Sequence, residues 1–88
     1  MAILIDTKGN VSKVADTSLE NLQKMVGGYI EIVNTPDRKN LFVCNEEGKL
    51  QGLPINVAAT SFAQKIGALP QSDCFVGNIV YMYSYEID

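Results

Sequence analysis

The sequence has 88 residues, 47% of them hydrophobic, and a formal net charge of −3. This length fits a single domain over residues 1–88 with a small core, and association between copies often stabilises domains of that size. With only seven lysines and arginines and no histidine, the chain lacks a broadly basic surface and the commonest general base and metal ligand. We therefore expect a homo-oligomer that binds no duplex nucleic acid, no metal and no cofactor.

The two cysteines and the N-terminal stretch bear on the cellular compartment. Cys44 and Cys74 lie in apolar runs without CxxC spacing, which favours buried free thiols over a disulfide or a metal site. Residues 1–5 lack the basic segment that opens a secretory signal. No apolar run approaches the ~20 residues of a membrane span. These features predict a cytoplasmic protein with no membrane partner.

The N-terminal third of the chain predicts a hairpin followed by a helix. Residues 2–5 and 11–14 are short β-type runs on either side of Lys8-Gly9-Asn10, whose residues favour a turn. The segment Thr17-Ser18-Leu19-Glu20 has the pattern of a capping box, in which Thr17 caps the helix and Glu20 reaches back to the cap. Apolar residues then recur at helical spacing as far as Gly27-Gly28, which favour a helix end.

The middle of the chain predicts two strands, a turn and a third strand. Residues 29–33 and 41–44 are β-branched or apolar runs joined by a polar loop. Asn45-Glu46-Glu47-Gly48 fits a type I turn, and residues 49–51 are expected to begin a returning strand. Pro54 cannot continue a central strand, because it has no N–H to donate.

The last third predicts a second helix and a long final strand. Asn56 is a suitable N-cap, and apolar residues at helical spacing follow it until Gly67. Residues 74–87 form the longest β candidate. The element order is β-β-α-β-β-α-β, so we expect a small α+β domain with a mainly antiparallel sheet and two helices.

Catalytic residues are not expected. The chain contains no nucleophile elbow, phosphate loop or dinucleotide-binding motif. The adjacent carboxylates Glu46 and Glu47 lie in a predicted turn, where their side chains diverge into water. An acid/base pair needs two groups that face one substrate in different environments. An enzyme is therefore the poorest of the function classes considered.

Three segments of the sequence resemble a known pattern. They are VGGYIEIV at residues 26–33, NEEGKLQGLPINVAAT at residues 45–60 and FVGNIVY at residues 75–81. In this order they resemble a family of small phage-borne domains of unknown function. Its pattern is a VGGYIE strand, an NEEGKLxGLPxN core followed by Ala-Thr, and a late strand containing VG. The resemblance implies carriage by phages or prophages and an accessory role, without an established activity.

Residues 45–60 allow a structural and a functional interpretation. A tight turn followed by a strand-to-helix elbow explains the glycines and Pro54 without any ligand. In the functional interpretation, the free N–H groups after Asn56 form an anion site at the start of the second helix. The Thr60 hydroxyl adds a donor, and Lys49 and Arg38 supply positive charge. The predicted ligand-binding residues are Arg38, Asn45, Lys49, Pro54, Asn56, Thr60, Tyr81 and Tyr83.

The tyrosines of the final strand alternate, so that Tyr81, Tyr83 and Tyr85 are expected on one face. Residues two apart on a strand are separated by roughly 6.5–7 Å, which admits a flat ring between neighbouring tyrosines. Alternatively, the tyrosines pack against protein at the core or at an interface between copies. Both interpretations stay open, because a ligand can also lie at a subunit interface.

Two functions follow from these features. The first is a phage or prophage counter-defence protein that sequesters a small anionic ligand, namely a nucleotide immune signal, without catalysis. The second is a protein-binding inhibitor or adaptor that blocks a host defence protein. It rests on the acidic surface and on the tendency of exposed sheet edges to pair with other chains.

Overall fold

The computed structural model describes residues 1–87 and places one five-stranded sheet between two helices. The strands are β1 (Ala2–Ile5), β2 (Val11–Val14), β3 (Ile30–Asn34), β4 (Asn40–Asn45) and β5 (Ile79–Tyr83). The helices are α1 (Leu19–Val26) and α2 (Val57–Lys65), and a 3-10 turn covers Ser84–Glu86. The strand order is β2-β1-β5-β4-β3, with every neighbouring pair antiparallel. The predicted α+β class and element order are confirmed.

Helix α1 covers one face of the sheet. Its buried residues Leu22 and Val26 pack against side chains of β1, β2, β4 and β5. These sheet residues are Ala2, Val14, Leu41, Val43, Val80 and Met82. The left-handed conformation of Gly27, at φ 83°, ends the helix as the sequence predicts.

Helix α2 covers the opposite face and packs with small residues. Ala59 and Ala63 are fully buried, which lets the helix approach the sheet closely. The sheet contributes Ile5, Phe42, Cys44 and Ile79 to this second core cluster. Strand β4 is therefore buried on both faces, which accounts for its nearly continuous apolar run. Among residues 1–87, neither helix is long and apolar enough to cross a membrane.

The predicted cap of α1 is wrong by one residue. Ser18, in extended conformation, caps the helix by accepting a hydrogen bond from the Asn21 N–H at 3.3 Å. The Thr17 hydroxyl instead donates to the Glu86 carbonyl at 2.7 Å. This long-range bond diverts Thr17 from the helix start, and a local pattern gives no sign of it.

Two predicted strand segments differ from the structure. Residues 49–51 form no returning strand, because the chain makes consecutive turns from Asn45 to Leu53. Of residues 74–87, only Ile79–Tyr83 form a strand of the sheet, and Val76 makes an isolated bridge to Ile55. Gly77 interrupts the run with φ 73°, a left-handed conformation that breaks extended backbone.

Candidate functional site

The turns after β4 are organised by the buried side chain of Asn45. Its amide oxygen accepts from the Glu47 N–H at 2.8 Å. Its amide nitrogen donates to the Val26 carbonyl at 3.2 Å and to the Gln51 side chain at 3.1 Å. Asn45 therefore ties the end of α1 to the loop of residues 46–52.

Two glycines of the resembling segments lie in close contact with neighbouring side chains in this region. A Cβ on Gly28 would lie 3.1 Å from the Asn45 amide nitrogen. A Cβ on Gly48 would lie 2.9 Å from a methyl group of Val76, and real Cβ atoms essentially never show such a contact. These positions thus support the structural interpretation of the motif.

Asn56 caps α2, as the sequence predicts, and is fully buried. Its side-chain oxygen accepts from the Ala59 N–H at 3.0 Å. Its side-chain nitrogen donates to the carbonyls of Ile5 and Gly77, each at 2.9 Å. The polar atoms of this side chain are therefore bonded to the protein's own backbone.

The residues on either side of Asn56 are clamped to the segment before β5. The Pro54 carbonyl accepts from the Gly77 N–H at 2.8 Å, and the Asn56 N–H donates to the Phe75 carbonyl at 2.8 Å. The Thr60 hydroxyl accepts from the Phe75 N–H at 2.9 Å. The structure brings Pro54, Asn56 and Thr60 together, with their polar groups joining α2 to the sheet.

The two cations predicted for the site lie apart. The Lys49 ammonium forms an ion pair with the Asp73 carboxylate. This hydrogen bond raises the pKa of Lys49 and lowers the pKa of Asp73. Arg38 lies in the loop before β4, at the opposite end of that strand, and its carbonyl accepts from the Ser84 hydroxyl at 2.8 Å. Arg38 and Lys49 therefore cannot serve one small site together.

The predicted tyrosines have different surroundings. The Tyr81 ring packs against Phe42 and Phe62, with centroids 4.8 and 4.9 Å away, and burial raises the pKa of its hydroxyl. Tyr83 is 41% exposed and stacks on Tyr85, with a centroid distance of 5.3 Å. Tyr85 lies in the 3-10 turn and not on the strand. Tyr81 thus belongs to the aromatic core, whereas Tyr83 lies at the surface near the Arg38 loop.

A groove lies beside β3, and we call it the β3 groove. It has a volume of about 150 Å³. Its lining includes Glu31 and Val33 of β3, Cys44 of β4, Glu46, Lys49 and Leu50 of the following loop, and Leu69, Asp73, Cys74, Phe75 and Val76. The groove therefore combines an apolar floor with three carboxylates and one lysine.

The Cys44 thiol in the groove is not activated as a nucleophile. Burial, followed by the nearby charge of Glu31, raises the pKa of the Cys44 thiol to about 11. The thiolate is the reactive form of cysteine, so this thiol stays protonated and unreactive at neutral pH. Within residues 1–87, no group of three or more acidic or cysteine side chains is arranged to hold a metal ion.

Strand β3 is an edge of the sheet with free backbone groups. The Glu46 N–H donates to the Tyr29 carbonyl, and the Thr35 N–H donates to the Asn40 carbonyl. In the antiparallel register this places residues 31 and 33 in hydrogen-bonded pairs with β4. The N–H and C=O groups of Ile30, Ile32 and Asn34 therefore point away from the sheet. This edge continues directly into the β3 groove.

The sequence missed most of the groove. Glu31, Leu50 and Asp73 are not among the predicted site residues. Glu31 and Asp73 come from segments that only the tertiary structure brings next to residues 45–50. The segment IEIVN, with a single charge among β-branched residues, is the local signal of a strand with polar residues at Glu31 and Asn34. It does not reveal which side of the strand stays unpaired.

The comparison with protein families identifies the chain. Residues 1–86 match the model of the family described as "Domain of unknown function (DUF3846)". No curated protein and no solved structure matches the chain. The chain therefore belongs to the DUF3846 family, and the predicted membership of a family of unknown function is confirmed.

Proposed function

We propose that this DUF3846 member is a non-catalytic binding protein that captures an extended segment of a partner protein on the edge of β3. The observation that carries the proposal is the row of outward-facing backbone groups at Ile30, Ile32 and Asn34, next to the β3 groove. In strand addition, main-chain hydrogen bonds provide affinity, and pockets for alternate side chains provide specificity. The β3 edge supplies the main-chain hydrogen-bonding groups, and the β3 groove supplies a pocket for side chains.

Exposed apolar side chains around the edge support the same proposal. Tyr29 is 70% exposed, Ile32 is 41% exposed, and Leu50 at the rim of the groove is 86% exposed. A partner strand that lies along β3 would remove part of this apolar surface from water, which is favourable. Binding by this surface needs no reactive group.

The biological setting is a finer proposal. The resemblance of residues 26–33, 45–60 and 75–81 to a phage-borne pattern supports carriage by phages or prophages. In that setting the protein would act in the host cytoplasm as an inhibitor or adaptor that blocks a host defence protein. To block that host protein, it would be enough to cover one of its strands or to occupy its binding surface.

Sequestration of a small anionic ligand, such as a nucleotide immune signal, is a second proposal. One observation favours it: Val57 and Ala58 in the first turn of α2 are exposed, where backbone N–H groups have no intrahelical acceptor. The side chains of Asn56 and Thr60 are bonded to backbone, and the adjacent groove carries three carboxylates. The geometry therefore favours the protein partner.

Peptide selection tests the strand-addition proposal. The native protein and an Ile32→Pro variant would each be used to select from a displayed library of random peptides. Proline at residue 32 removes an N–H that faces outward, so the ladder with β4 is kept. We expect the native protein to enrich peptides that the variant does not bind.

The matched control is Lys13→Pro on the opposite edge, which also removes an outward N–H. It should leave peptide binding unchanged. Equal enrichment by the Ile32→Pro variant, or no enrichment by the native protein, would overturn the proposal. Nucleotide that co-purifies with the protein and raises its melting temperature when added back would favour the second proposal instead.

A further inference from the structure

We propose that the partner segment is cationic, with a lysine or arginine opposite Glu31 and apolar residues opposite Ile32 and Val33. This inference rests on the strand-addition function and specifies its partner. The observation behind it is that β3 presents the Glu31 carboxylate to the groove and carries the apolar side chains of Ile32 and Val33 next to it.

The pleat of the sheet decides where the partner side chains point. Glu31 and Val33 share the α2 face with Phe42 and Cys44, whereas Ile32 shares the α1 face with Val43. Side chains alternate along a strand, so partner residues opposite Glu31 and Val33 would enter the groove. The residue opposite Ile32 would lie on the α1 face and cover that exposed isoleucine.

The register strengthens the contact at Glu31. All pairs in this sheet are antiparallel, and an antiparallel partner would hydrogen-bond to Ile32. Glu31 would then stand in a non-hydrogen-bonded pair with its partner residue. Cα atoms in such pairs are about 4.5 Å apart, closer than in hydrogen-bonded pairs, so the side chains meet. From N to C terminus the partner would read apolar, apolar, basic.

The charge of the groove favours a cation at that position. Glu31, Glu46 and Asp73 line the groove together with one lysine, Lys49, which is paired with Asp73. Within the described residues neither Glu31 nor Glu46 forms an ion pair. The negative charge of Glu31 also contributes to the raised pKa of Cys44 in the groove floor. A lysine or arginine would neutralise this surplus.

Apolar contacts account for the remaining two positions. Val33 is half-buried beside Leu69 and Phe75 in the groove, so a β-branched residue opposite it would add to an existing apolar surface. Ile32 is exposed on the other face and gains an apolar neighbour. Cross-strand pairs of these types stabilise antiparallel sheets.

A charge exchange tests the inference. Two short peptides, with Val-Val-Lys or Val-Val-Glu at their centre, would be titrated into the native protein and into the Glu31→Lys variant at low ionic strength. The native protein should bind the lysine peptide about fivefold more tightly or better, and the variant should prefer the glutamate peptide. Raised salt should reduce both preferences.

Glu20→Lys, an exposed substitution on α1 with the same change in net charge, is the control. It should keep the native preference. If both peptides bind the native protein equally and Ile32→Pro abolishes both, the charge inference is overturned and strand addition stands. If neither peptide binds and the native protein is a dimer that Ile32→Pro dissociates, a second copy covers the edge and both proposals are overturned.

Discussion

The two edge strands of the sheet face solvent in different ways. On β2, the four-residue edge, the antiparallel register leaves the N–H groups of Val11 and Lys13 pointing outward. On β3, the five-residue edge, the outward groups belong to Ile30, Ile32 and Asn34. Natural proteins shield edges with short strands and with lysine. The β2 edge has both kinds of protection, whereas β3 has no positive charge.

The surroundings of β3 also bear on partner binding. Beside β3, Asn45 holds a loop that encloses a groove of about 150 Å³. The edge that has no lysine or arginine therefore lies next to a groove. The strand-addition proposal assigns the partner to β3 and not to β2, and it can be tested by changing one edge at a time.

The largest expected effect distinguishes the two sides of β3 itself. Val33 is paired with Phe42, so Val33→Pro removes a ladder bond and leaves a buried acceptor unsatisfied. We expect the free energy of unfolding to fall by about 3 kcal/mol or more. Ile32→Pro loses no ladder bond and should cost about 1 kcal/mol or less. Urea unfolding of both variants measures the difference, and equal losses would contradict the assigned orientation of β3.

The next effect concerns the loop that forms the groove wall. Asn45→Ala removes the acceptor for Glu47 and the donor to Val26, leaving both backbone groups unsatisfied. We expect a loss of about 2 kcal/mol in unfolding free energy. Amide exchange should become faster over residues 46–52 while the β1–β2 hairpin keeps its protection. Faster exchange over both regions alike would show that Asn45 supports the whole sheet and not the groove in particular.

Local sequence signals correctly predict elements that are stabilised by hydrogen bonds between residues close together in the sequence. The helix end at Gly27 and the cap at Asn56 depend on residues within one helical turn, and the first hairpin depends on the short turn between β1 and β2. One error, the strand expected at residues 49–51, lies in a run of local turns, and two others involve contacts between distant segments. Glu86 diverts Thr17 from the cap of α1, and Gly77 shortens the last strand while its carbonyl is held by Asn56.

The candidate site also separates what local sequence predicts from what long-range contacts decide. Asn56 and Thr60 have the composition of an anion site, yet their side chains are bonded to backbone 15 to 51 residues away. Glu31, Leu50 and Asp73 meet at the groove only because β3, the loop after β4 and the segment before β5 come together. Strand order decides that β3 is an edge, and no local pattern encodes that order.

The smallest effect on stability comes from exchanging the protection of the two edges. Lys13→Ile and Ile32→Lys are both exposed substitutions that keep the ladders intact, so each should change the unfolding free energy by about 0.5 kcal/mol or less. Their effects on association should be opposite. Ile32→Lys places a charge beside the outward groups of β3 and should abolish peptide binding at that edge. Lys13→Ile removes the charge that protects β2 and should increase concentration-dependent self-association, which sedimentation velocity measures.

If Lys13→Ile causes no association, strand length and twist protect β2 without the lysine. The contrast between the edges would then rest on the groove beside β3 and not on the missing charge.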